Sequence, residues 1–168
     1  MPVSARQPSP RWLRTWHSER VRKLLVLLAV AWVGVSLAAA WVSVEHEVPY
    51  DLSFLDRPGP PDRVGDDWLR GWGTGLTVPM GVVAAMAVLA ALSALGNSAG
   101  RAGAFLLALL GGASIAFTLS SRPATERLRA VGTDTTESGL VIATLVLAGL
   151  IVLIGLTAWL TAPRERWS

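Results

Sequence analysis

The stretch RVRKLLVLLAVAWVGVSLAAAWVSV, residues 20–44, decides the fold class. A basic collar of Arg20, Arg22 and Lys23 precedes about 21 uncharged, mostly apolar residues, which at about 1.5 Å of rise per residue reach across a bilayer. Three further uncharged apolar runs follow at 76–95, 102–119 and 140–160, each about 18 to 21 residues long. The expectation is an all-α membrane protein. Four transmembrane helices form a small bundle (24–44, 76–95, 102–119, 140–160), with a tail at 1–23, outer loops at 45–75 and 120–139, and a short tail at 162–168.

Composition narrows the class. With 52% apolar and 16% charged residues in 168, the chain is too hydrophobic for a soluble domain and too short for two bundles. The pI near 10.5 does not point to nucleic acid, because the basic residues crowd beside apolar spans, where anionic lipid headgroups are their natural partners. The chain has no cysteine, which excludes disulfides, thiol redox chemistry and cysteine-ligated metals. Fourteen arginines against one lysine, with abundant Ala, Gly and Val, suggest a GC-rich genome and hence a bacterial source.

Charge sets the expected orientation. With both termini inside, the inner segments hold nine Lys/Arg and two acids, and the outer segments six Arg and ten acids. That bias places both termini in the cytoplasm and the chain in the cell membrane as a multi-pass protein. A competing reading takes residues 20–40 as a secretory signal cleaved after Ala40. The apolar run continues past Ala38, Ala39 and Ala40 through Trp41 to Val44. That continuity favours a retained anchor.

Within the spans the notable residues are small. Gly34 and Ala38 form a small-xxx-small pair on the first span, Ala87 and Ala91 line the second, and Ala108 and Gly112 the third. In lipid, helices associate through close backbone approach, so the hairpin of the second and third spans is expected to be the packing centre and the fourth span to face lipid. Trp12, Trp16, Trp41, Trp68, Trp72 and Trp159 sit near span ends, where indoles anchor at the interface. Asp66 or Asp67 is placed to cap a short turn that presents Trp68, Leu69 and Trp72 to the membrane surface.

No chemical signature stands out. No span carries an ionisable residue of the kind that a coupled transporter uses, and Ser114 in the Gly-Gly-Ala-Ser run has no histidine within a span to act as its base. The densest polar group is Glu45, His46, Glu47 and Asp51, a weak candidate for divalent metal or acid–base work and more simply a solvated helix end. No catalytic residue, cofactor or resident metal is expected. The expected role is a non-catalytic accessory or assembly component, acting through its outer loops and small-residue helix faces. Its expected partners are the lipid bilayer and a membrane-protein partner or a second copy. The alternatives are a small transporter or channel subunit, and a membrane-embedded enzyme using the outer acids.

Overall fold

The computed structural model describes residues 11–51, 59–129 and 135–161, with side chains from 19 and 136 onward in the first and last of these segments. Of the expected tails, residues 1–10 and 162–168 lie outside the described residues, as do the Trp12 and Trp16 side chains, while 11–23 belongs to α1. The described residues form helices and no strands: α1 (Arg11–Glu45), a 3-10 turn (Pro61–Arg63), α2 (Val64–Arg70), α3 (Met80–Ser93), α4 (Ser98–Ser120), α5 (Arg122–Arg129) and α6 (Thr135–Thr161). Three segments are long and apolar enough to cross a membrane, Glu19–Glu45, Ser98–Ser120 and Thr136–Thr161, and α3 is a shorter apolar helix.

The long helices form a ring of antiparallel neighbours, with α1 and α4 each packed between α3 and α6. One end of this bundle gathers the start of α1, the α3–α4 turn and the end of α6, and is called here the terminal end. The opposite, loop end carries α2 and α5. The main core joins Leu25, Ala29 and Trp32 of α1 to Val83 and Met86 of α3, Leu107 of α4 and Ile151 of α6. A second cluster of Ala39, Val48, Leu76, Ala124 and Val141 lies at the loop end. Large apolar side chains such as Leu27, Val30, Val88, Leu109 and Leu153 are more than half exposed. An outward apolar coat of this kind suits hydrocarbon rather than water.

α1 is continuous from its basic segment through its span, and its end is built by backbone geometry. Glu47 takes a left-handed φ of +50°, while the Val48 N–H donates to the Ser43 carbonyl (2.8 Å) and the Glu47 N–H to the Val44 carbonyl (3.4 Å). This is a Schellman arrangement at a position usually given to glycine, and it turns the chain so that Val48 enters the loop-end cluster.

α3 is the main departure from the expected spans. It occupies 14 residues, about 21 Å of rise, where 76–95 was expected to be helical. Pro79 biases Val78 away from helix, and the Thr74 hydroxyl accepts from the N–H groups of Leu76 (3.3 Å) and Thr77 (3.2 Å). A side-chain-capped turn thus replaces the first helical turns. α4 in contrast starts four residues early, because Asn97 Oδ1 accepts from the Gly100 N–H at 3.2 Å and caps the helix. At α2 no side chain caps the helix; Asp66 and Asp67 instead lie in its first turn.

Close approach concentrates on α4. A Cβ on Gly155 of α6 would lie 2.8 Å from the Ala104 carbonyl oxygen, one on Gly111 would lie 3.1 Å from that of Ala148, and one on Gly103 would lie 2.9 Å from the Ser93 nitrogen. α4 therefore meets α6 at two glycines and α3 at one. α6, expected to face lipid, packs on both α1 and α4.

Candidate functional site

The loop end holds the densest polar structure, organised around one carboxylate. Glu137 lies in the first turn of α6, where the helix dipole favours negative charge, and is only 3% exposed. His46 Nδ1 donates to its Oε1 at 2.6 Å, and the Arg127 guanidinium of α5 pairs with its other oxygen. A buried carboxylate met by an imidazole and by a guanidinium avoids the cost of an unpaired buried charge. The Ser138 hydroxyl adds a further tie by donating to the Arg127 carbonyl at 2.9 Å. The ends of α1, α5 and α6 thereby meet at one side chain.

Beside this carboxylate runs a buried segment without helical hydrogen bonding, residues 73–78. Buried irregular backbone must find protein partners, and here it does. The Gly75 N–H donates to the Val48 carbonyl at 3.2 Å, and the Ser121 hydroxyl donates to the Gly75 carbonyl at 2.7 Å. Gly75 is required by space, since a Cβ would lie 2.6 Å from the Pro49 carbonyl oxygen and 2.7 Å from the Val48 side chain. The Thr74 hydroxyl donates to Ser43 Oγ (2.9 Å), whose own proton goes to the Ala39 carbonyl (2.7 Å). The Arg122 N–H donates to the Asp51 carbonyl at 2.8 Å, with a looser ion pair of 3.8 Å between their side chains. Residues 43–51, 73–78 and 121–122 are thus stitched into one cap.

Of the weak metal candidates, His46 is engaged by Glu137 and Asp51 by Arg122, while Glu45 and Glu47 are exposed. Among the described residues no three His, Cys, Asp or Glu side chains gather in a way that could hold a metal ion. The His46 side chain is 51% exposed. The arrangement orients an imidazole and locks a loop.

Of the small residues singled out for packing, Ala108 is buried against Gly155. Gly34, Ala38, Ala87 and Ala91 are exposed on the outward faces of α1 and α3, and Gly112 is half-buried with open space where a Cβ would stand. Trp41 and Trp72 are 74% and 60% exposed, and Trp68 is half-buried. Trp159 is half-buried against Phe105, with ring centroids 5.0 Å apart. Sequence reasoning passed over Glu137 and Arg127. The available signal was an acid immediately before a long apolar run.

No family model matches the chain, and neither a curated protein nor a solved structure matches it.

Proposed function

We propose that this chain is a four-span protein of the cell membrane with both termini cytoplasmic, and that it serves as a non-catalytic accessory or assembly component. The observation that carries this reading is the cross-braced loop end, where Glu137 ties α1, α5 and α6 and residues 73–78 are sealed between them. A surface tied at so many points suits presentation to a partner better than a cycle of opening and closing. Its exposed features are apolar Leu69 and Trp72 beside the acids Glu45, Glu47, Asp66 and Glu126. The outward Gly34, Ala38, Ala87 and Ala91 offer close approach to a second helix within the bilayer. α3, with about 21 Å of helix against about 30 Å of hydrocarbon, completes its crossing through residues 73–78. A small transporter or channel subunit is the second reading, favoured by that same buried irregular segment, since broken helices line transport sites.

Orientation is tested with single cysteines, for which the chain has no native background. Arg129→Cys, at an exposed loop-end position, should react with an impermeant reagent in intact cells, whereas Ser98→Cys at the exposed α3–α4 turn should not. Equal labelling of both would sink the topology.

The role is tested by copurification in mild detergent after cross-linking. Wild type should bring down a stoichiometric membrane-protein partner or a second copy. The pair Leu69→Ser and Trp72→Ser should lose most of it while keeping the wild-type melting temperature, since both side chains are exposed. A chain recovered alone, together with solute flux in liposomes, would favour transport instead.

A further inference from the structure

Of the helix ends that meet at Glu137, that of α1 carries a group whose charge changes near neutral pH. His46 follows the last residue of α1, and its Nδ1 stands 2.6 Å from Glu137 Oε1 in the first turn of α6. The two residues are 91 apart in sequence, so the contact clasps two long helices together. The imidazole is half-exposed and the carboxylate almost wholly buried, with side-chain exposures of 51% and 4%. Solvent protons reach the ring, while its partner sits where charge is least screened.

The charges around the ring favour its protonated form. The Glu137 carboxylate is in direct contact, and Glu45 and Glu47 flank His46 in the chain. The His46 N–H still donates to the Val42 carbonyl at 2.9 Å, which places the ring at the C-terminus of α1, the negative end of its dipole. Opposed to these are the Arg127 guanidinium of α5, on the far oxygen of the same carboxylate, and the positive end of α6. α2 packs on α1 with Asp66 and Asp67 in its first turn and Arg70 in its last, and Asp51 faces Arg122 of α5. α3 carries no charge, and α4 has only Arg101, near its far end. A carboxylate in contact outweighs a guanidinium reached across it.

We propose that His46 and Glu137 form a pH-sensitive clasp between α1 and α6, tightened when the imidazole is protonated and slackened when it is neutral. Protonation turns the contact of a neutral ring with a carboxylate into an ion pair. The folded cap therefore holds that proton more firmly than an unfolded chain does. The contribution of the clasp is complete below the ordinary imidazole range, about pH 6.5, and is lost as pH rises through the higher folded-state value. Glu47 gives the slackened clasp a place to yield. Its φ of +50° is rarely adopted by residues other than glycine, and that turn is held between the clasp at His46 and the burial of Val48. The backbone bonds from Gly75 to Val48 and from Arg122 to Asp51 remain, so the response stays local. The clasp does not rest on the assembly reading, because it operates whichever partner the cap meets and on whichever side of the membrane.

The test follows the His46 ring by NMR in the full chain in detergent micelles. The chain has two histidines, so a His17→Gln background leaves His46 as its one imidazole. Its titration midpoint should lie above that of the same chain unfolded in urea, and Glu137→Gln should bring it back toward the unfolded value. Hydrogen exchange, corrected for the intrinsic rate at each pH, should show residues 46–50 and α5 open about tenfold less often at about pH 5.5 than at about pH 8. His46→Gln should abolish that difference. A midpoint at or below the unfolded value would overturn the proposal, as would a raised midpoint that Glu137→Gln leaves in place or an unchanged pH dependence in His46→Gln. Should Glu137→Gln not fold, the wild-type midpoint and the exchange of His46→Gln decide.

Discussion

Gly155→Leu should destabilise the bundle by about 3 kcal/mol, read as loss of melting temperature in detergent or as a shifted denaturation midpoint. The obstacle is backbone, since a Cβ there would lie 2.8 Å from the Ala104 carbonyl oxygen and 3.1 Å from the Ala108 Cβ. Neither atom can move without displacing α4 from α6. Replacing a helical glycine returns about 1 kcal/mol of helix propensity, while overpacking costs about 1 to 3 kcal/mol and separation of the helices adds to it. Gly112→Leu is the matched comparison. Nothing lies within 4 Å of its Cβ position, so its effect should stay within about 0.5 kcal/mol of neutral or turn stabilising. Similar melting of the two variants would remove the α4–α6 contact from the centre of the fold.

Glu137→Ala is expected to open the cap. Removing one partner of a fully buried charge pair costs about 3 to 5 kcal/mol. His46 and Arg127 have side chains 51% and 37% exposed, so solvent recovers part of that loss and the expected cost falls to about 1 to 2 kcal/mol. The damage should be local, because the main core of Trp32, Met86, Leu107 and Ile151 does not involve Glu137. Hydrogen exchange should therefore accelerate in α5 and around His46 while the centres of α1 and α4 stay protected. Glu137→Gln, which keeps the shape and one acceptor oxygen, should fall between. Unchanged exchange in Glu137→Ala would show that the loop end is held by its backbone bonds alone, at Gly75, Val48 and Arg122.

The helical class and the compatibility with a membrane are properties of composition along short windows. Each run such as 24–44 or 140–160 is apolar whatever surrounds it, and an uncharged stretch of that length has few stable alternatives to a helix. Where the helices start is not read from those windows: the apolar runs put the second and third starts at 76 and 102, whereas the structure starts α3 at Met80 after Pro79 and α4 at Ser98 after Asn97. Tertiary structure decided what depends on phase and on distant pairing. Gly111 and Gly112 are neighbours in sequence, yet the 100° turn between them points one at Ala148 and leaves the other without a neighbour, and no run of letters says where α6 will stand. Thr74 shortens α3 because the buried loop seats its hydroxyl on Ser43, 31 residues away. Glu137 became the hub of the loop end for the same reason. Its histidine partner lies 91 residues distant, and only the packing of α1 against α6 brings the two within 2.6 Å.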